Sequence, residues 1–466
     1  MNFWDSSVWG FLSTIAVLLL SIMLANALEK NIPMIQRSLI PTSVMGGAIL
    51  ILFTVIYELI TGDRFFDTTL FNNAGYDYLE MITYHSLALG FIASALKSSR
   101  GKLDKKRTSE ILNTGITTVS TYLMQAVLGM LITIPCALVI TGLIPASGIL
   151  LAFGFGQGSG QALNYGNIYM KDFGFENGSS FGLSVACLGF ICAALGGVIH
   201  LHIMKHKGKF NRKDHVETEL SGRDIQAPNE IPMQESIDKL TVQIALIVLS
   251  YFIAYILMYL LGSAMEGMRS VVYGFNFLFG VLAATVVKLV KNFLLKHKIA
   301  KKEYTNDFLL TRTSNFFYDL MIVAGVAAIR LEALKQYWLV LLLITAVGFI
   351  STFIYNRIVA NTLFPEYKEE QFMVMFGMLT GTASTGVVLL REIDGEFKTP
   401  AADNIVYQNF PAIVLGFPLM FIATMAPDHP WIALGILAAM FLVLNIILFR
   451  SKIFRKRRAT SAKEKE

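Results

Sequence analysis

The chain has 466 residues, 54% of them hydrophobic and only 15% charged, with a mean hydropathy of +0.57. A soluble protein of this length would carry about 25% charged residues, so the long apolar runs define an all-α polytopic membrane protein. The formal net charge of +6 comes largely from short basic loops and the C-terminal tail. Such clusters set membrane orientation and give no reason to expect a nucleic-acid partner.

A helical crossing needs roughly 20 apolar residues. On that measure about eleven spans are predicted, at 8–27, 40–60, 79–97, 110–142, 178–203, 240–262, 272–290, 308–329, 336–358, 404–426 and 430–449. The first has Asp5 rather than a basic region before it, so it is expected to be retained, not cleaved. The fourth is too long for one straight crossing. The three cysteines, Cys136, Cys187 and Cys192, lie in apolar spans without metal-ligand spacing and read as packing residues.

Two further apolar segments, 145–168 and 371–390, have glycine-rich centres: Gly154-Phe155-Gly156-Gln157-Gly158-Ser159-Gly160-Gln161 and Thr380-Gly381-Thr382-Ala383-Ser384-Thr385-Gly386. Glycine and hydroxyl residues loosen a helix and free backbone groups. At membrane depth such backbone is tolerated only inside protein or beside water. Each segment therefore reads as a re-entrant hairpin, with a plain spanning helix as the rival reading.

Basic residues test this layout. Six lie between Lys97 and Arg107, five between Lys205 and Lys213, six between Lys288 and Lys302, and six between Arg450 and Arg458. If both hairpins return to the side they came from, all four clusters share one face, with the N-terminus outside and the C-terminus cytoplasmic. The hairpins then enter from opposite sides. Two inverted five-helix repeats result, each with a hairpin: 1–203, a polar cytoplasmic linker 204–238, and 239–426, followed by an extra span and basic tail at 427–466. A faint internal match supports this, with His85-Ser86-Leu87 through Lys97 aligning on Tyr318-Asp319-Leu320 through Arg330.

A matched pair of broken hydrophobic segments points to a transporter's binding site. Helix N-termini at the breaks offer N–H groups for a carboxylate. On the substrate side the candidates are Gln157, Gly158, Ser159, Gly160, Gln161, Asn164, Thr382, Ser384 and Thr385. For a small hard cation such as Na⁺ they are Asp319, Gly156, Thr380, Gly381 and Ser384, through carboxylate, carbonyl and hydroxyl oxygens. The alternative is that these small-residue clusters serve helix packing. Asp319 sits about midway along its span, where a carboxylate costs roughly 2.5–3.5 kcal/mol and is by default functional; pairing with Arg312 is the structural alternative. His85 reads equally as a proton relay or a packing residue, and Asn315 and Asn409 as helix bridges. No Walker A sequence, HExxH or nucleophile–base constellation appears, so neither ATP hydrolysis nor an enzyme is expected. No voltage-sensor helix or TVGYG-like filter favours a channel.

At this point the chain resembles the bacterial sodium/glutamate symporter family. The resemblance is carried by Ser38-Leu39-Ile40-Pro41-Thr42-Ser43-Val44-Met45-Gly46-Gly47, by Ala88-Leu89-Gly90-Phe91-Ile92-Ala93, by Ser314-Asn315-Phe316 through Leu331-Glu332-Ala333-Leu334, and by the glycine-rich pair. It implies Na⁺-driven uptake of glutamate or a related acidic amino acid across a bacterial plasma membrane by an inverted-repeat homodimer. Gln157, Ser384 and Asp319 depart from the family pattern, which bears on substrate identity and ion stoichiometry; a proton-coupled or exchanging carrier of organic anions, on Asp319 and His85, is the alternative, with a passive channel behind it.

Overall fold

A computed structural model describes residues 2–36, 40–97, 105–206, 230, 237–265, 269–274, 276–299, 301–394 and 399–450. Most of the 204–238 linker, parts of the basic clusters, and Ser38-Leu39 lie outside the described residues, as does the side chain of Ser384. Nearly every described residue is helical and no strand occurs among them; one isolated bridge joins Glu230 and Glu303. In a bilayer this is what satisfies every backbone N–H and C=O within its own segment.

Leaving aside two short turns of helix at Pro33–Gln36 and Arg269–Gly274, the helices in order are α1 (Ser6–Asn31), α2 (Thr42–Thr61), α3 (Gly75–Leu96), α4 (Lys105–Cys136), α5 (Ser159–Phe173), α6 (Gly178–His206), α7 (Lys239–Ala264), α8 (Asn276–Lys296) and α9 (Asp307–Ala327). There follow α10 (Leu331–Leu363), α11 (Lys368–Thr380), α12 (Ala383–Arg391), α13 (Ala401–Tyr407), α14 (Asn409–Met425) and α15 (Pro430–Leu448). Among the described residues nine helices are long and apolar enough to cross a membrane: α1–α4, α6–α8, α10 and α15.

Two of the eleven predicted spans fall short of that measure. α9 carries Arg312, Asn315 and Asp319, which lower its apolar character. The predicted 404–426 span is split into α13 and α14. Pro411 explains the split: it has no N–H to give the Tyr407 carbonyl, and its ring crowds the preceding turn. The long fourth span resolves in the same way, α4 ending at Cys136 just after Pro135 and the chain turning through 137–144.

The chain divides into two compact units. One comprises Met1–Lys102, Ser159–Ile168 and Lys213–Arg330. In it α1 packs on α2 and α7 on α8, while α2 meets α9 and α8 meets α3; α3 and α9 pack on each other. Small residues set this last approach, a Cβ at Gly90 falling 2.7 Å from the Tyr318 ring. Each pairing thus recurs once between the halves of the sequence. A linker residue is also tied into this unit: Glu230 accepts hydrogen bonds from Lys239 Nζ at 2.8 Å and Asn306 Nδ2 at 2.7 Å. Asn306 in turn caps α9, accepting from Leu309 N–H at 2.7 Å.

The other unit comprises Leu103–Gly158, Tyr169–Arg212 and Leu331–Glu466. Here α4 packs on α10, α14 and α15, and α6 on α10 and α11. Both units gather elements from both halves of the sequence, a division that does not follow chain order.

Candidate functional site

Both glycine-rich segments are broken helices. The first opens with a 3₁₀ turn at Pro145–Ile149 and continues as a wide π turn over Ala152–Gln157. It ends at Gly158, with φ +85° and ψ −177°. That backbone suits glycine and strains any residue bearing a Cβ. Gly158 is also the N-cap of α5.

The second breaks between α11 and α12. Gly381 takes φ −146° and ψ −104°, and Thr382 caps α12, its Oγ1 accepting from Thr385 N–H at 3.4 Å. α11 and α12 fold back on one another: a Cβ on Gly377 would stand 2.8 Å from Gly386 Cα. Every residue from Gln371 to Thr380 is buried, as are Leu150 to Gly156. A helical segment apolar all round and covered all round belongs inside protein rather than against lipid.

The two breaks meet. A Cβ on Gly158 would lie 3.1 Å from Thr382 Cγ2 and 3.6 Å from the Gly381 carbonyl oxygen. Gln157, half-buried, adjoins this contact in the chain. Thr380 and Thr385 are buried; the Thr380 hydroxyl donates to the Phe376 carbonyl at 2.7 Å, and the Thr382 and Thr385 hydroxyls stand 3.3 Å apart. Across from them α6 comes so close that a Cβ on Gly189 would fall 2.5 Å from the Thr380 carbonyl oxygen. The C-terminal end of α11 and the N-terminal end of α12 therefore face one place, supplying negative and positive dipole ends together. Among the described residues no three His, Cys, Asp or Glu side chains gather.

Gln125 was not visible as a site residue in the sequence. It lies on α4, fully buried, and its Nε2 donates to the Leu379 carbonyl and to Thr352 Oγ1, both at 2.9 Å. A lone glutamine in a threonine-rich span carries no signal of its own. Only the fold puts it against break two.

Apart from Asn409, which is in the second unit, the remaining candidates belong to the first unit. Gly160 packs on Leu87, and Asn164 Nδ2 donates to the Gly274 carbonyl at 2.6 Å and approaches Gln161 Oε1 at 3.5 Å. Ser159 Oγ and Gln161 Nε2 are buried and have no hydrogen-bond partner among the described residues. Asp319 is in the same unit, exposed on α9 with Arg312 and Asn315 on the same face, and has the Ser43 hydroxyl of α2 as a neighbour. His85 Nδ1 is 2.7 Å from the Tyr251 hydroxyl, a contact that ties α3 to α7. Asn409 accepts from Gln408 Nε2 at 3.2 Å.

At the start of α11, Glu369 accepts hydrogen bonds from both Arg357 Nη atoms, at 2.5 and 3.0 Å, and stands 3.0 Å from His200 Nε2. Burial pushes its carboxyl up, but Arg357 and His200 outweigh this and hold it below the ordinary carboxylate value. The pair fixes the end of α11 remote from the break.

A multi-pass helical membrane protein with two broken helices joined at one buried place has the architecture of a carrier. The family model described as sodium/glutamate symporter matches residues 9–378, from α1 to the last turn of α11. The chain belongs to the sodium/glutamate symporter family. That family is one of membrane transporters, in which Na⁺ is the coupling ion. The second break and α12–α15 lie beyond the matched residues. No curated protein matches the chain.

Proposed function

We propose that this protein is a secondary active transporter that couples Na⁺ movement to import of glutamate or a related acidic amino acid by alternating access. The contact of Gly158 with Gly381 and Thr382 carries the reading. It joins two helix breaks into one place with dipole ends of both signs. Hydroxyls of Thr382 and Thr385, the Gln157 amide and helix N–H groups would hold the carboxylate. Carbonyl oxygens of Gly156, Thr380 and Gly381 would hold Na⁺. Ser384 completes this set and also serves Na⁺.

Coupling follows if Na⁺ orders the unwound segments and so raises substrate affinity, since linkage is reciprocal. In this reading the two segments are re-entrant hairpins of opposite sense, one per inverted repeat at 1–203 and 239–426, with 204–238 as cytoplasmic linker. The recurring helix pairings support it. The N-terminus is then outside and the C-terminus cytoplasmic, in a bacterial plasma membrane. The homodimer implied by resemblance is a matter for cross-linking in membranes.

Asp319 favours a second reading, proton coupling. An exposed mid-span carboxylate needs water, a proton or a cation. Uptake by purified protein in vesicles, across a panel of amino and hydroxy acids with imposed Na⁺ or pH gradients, decides between them. Saturable uptake of acidic amino acids driven by Na⁺ is expected. Uptake unchanged without a Na⁺ gradient would sink the sodium reading, and unsaturable flux would favour a channel.

A further inference from the structure

We propose that the side-chain amide oxygen of Gln125 is a ligand for the coupling Na⁺, which makes this residue of α4 part of the transport site. The assignment rests on the sodium reading above and adds to it an oxygen from a helix outside both broken segments.

The geometry fixes the amide. Leu379 offers a carbonyl oxygen, which can only accept, so the group 2.9 Å from it must be Nε2. Thr352 Oγ1 takes the second N–H at 2.9 Å. Both donors are then used, and Oε1 points the other way, toward break one. It lies 3.2 Å from where a Cβ on Gly156 would be. The side chain is fully buried, and Oε1 has no hydrogen-bond partner among the described residues.

A buried amide oxygen is a strong acceptor that folded proteins do not leave idle. The Tyr122 ring, which can donate nothing through its carbons, is the other close neighbour of Gly156. The amide oxygen lies beside Gly156, two residues before the Gly158 contact with Thr382, while Leu379 on its donor side is in the last turn of α11, whose C-terminal end is the negative end of its dipole. Neutral oxygens around a small space suit a hard monovalent cation. The same amide holds Leu379, one residue before Thr380, so the donor side of Gln125 positions the second break while its acceptor side serves the ion. A cation bound there would hold the two breaks together, which is the ordering that coupling requires.

The test is a Na⁺ titration of purified protein in detergent, at constant ionic strength with choline, read as the thermal unfolding midpoint. Wild type, Gln125→Met and Gln125→Glu are compared, without any transport assay. In Gln125→Met the Na⁺ concentration giving half the stabilisation should rise about tenfold or more. In Gln125→Glu the oxygen is kept and a charge added, so Na⁺ response should persist and become pH-dependent. Should Gln125→Met fail to fold, the Gln125→Glu pH dependence carries the test alone. A Gln125→Met titration equal to wild type, or a Gln125→Glu response that ignores pH, overturns the assignment and leaves the sodium reading standing. A wild-type protein indifferent to Na⁺ overturns both.

Discussion

Gly158 and Thr382 stand in contact where the two broken helices meet, 224 positions apart in the chain: a methyl group on Gly158 would fall 3.1 Å from Thr382 Cγ2. Neither residue could move away without cost. Gly158 ends the π turn and caps α5, and Thr382 caps α12.

Gly158→Ala should therefore be damaging on two counts. Its φ of +85° disfavours any side chain, at about 1–3 kcal/mol, and the added methyl presses on Thr382. Gly174→Ala is the matched comparison, since φ is +69° there but nothing lies within 4 Å of the new Cβ. Thermal unfolding should show a loss in both variants, and vesicle uptake should collapse only in Gly158→Ala.

Asp319→Asn should weaken ion-driven uptake while leaving the folded protein intact, because a mid-span carboxylate is by default functional and this one is exposed on α9. Arg312 on the same face stacks on the Phe308 ring. Uptake at wild-type rates with wild-type Na⁺ dependence would remove Asp319 from the ion pathway.

Glu230 should prove a structural anchor. Lys239 is 0% exposed and Glu230 7%, and their 2.8 Å pair is shared with Asn306. Glu230→Ala leaves a buried ammonium without its partner, a change worth about 3–5 kcal/mol. The double variant Glu230→Leu with Lys239→Met should recover much of the loss. Thermal unfolding of the three proteins in one detergent checks this.

Glu369 gives a pH dependence of definite sign. Its carboxyl is held below the ordinary value by Arg357 and His200 against the effect of burial. The folded state thus binds this proton less readily than the unfolded one, so the stabilisation is present above the unfolded pKa and lost as pH falls through the folded one. The stability gap between wild type and Glu369→Gln should be full at pH 7 and shrink on acidification below about pH 4.3. A gap that widened toward acid would contradict the pairing.

The helices were legible because apolar length alone demands them, and the breaks because glycine at Gly158 and Gly381 announces a backbone no ordinary helix uses. Packing was not legible. Helices as apolar as α7 and α8 offer no face to distinguish neighbours, so the pairing of α3 with α9, or of α4 with α10, appears only in three dimensions. Gln125 escaped notice for a related reason, since its role comes from Leu379 and Thr352, both more than 220 residues away. Prolines were visible, yet the break before Asn409 was hidden by the length of the apolar run around it. The anchoring of Glu230 depends on Lys239 and Asn306 together, a three-body arrangement that charge counting along the linker does not disclose.

The central claim is that the two breaks form one binding place, and thiol accessibility tests it most directly. In a protein with Cys136, Cys187 and Cys192 replaced, single cysteines at Gln157 and Thr382 would be labelled with a water-soluble maleimide. Na⁺ with glutamate should slow labelling at both positions, and Na⁺ with a neutral amino acid at neither to the same degree. Protection at one position with the other unaffected, or at neither, would contradict the account.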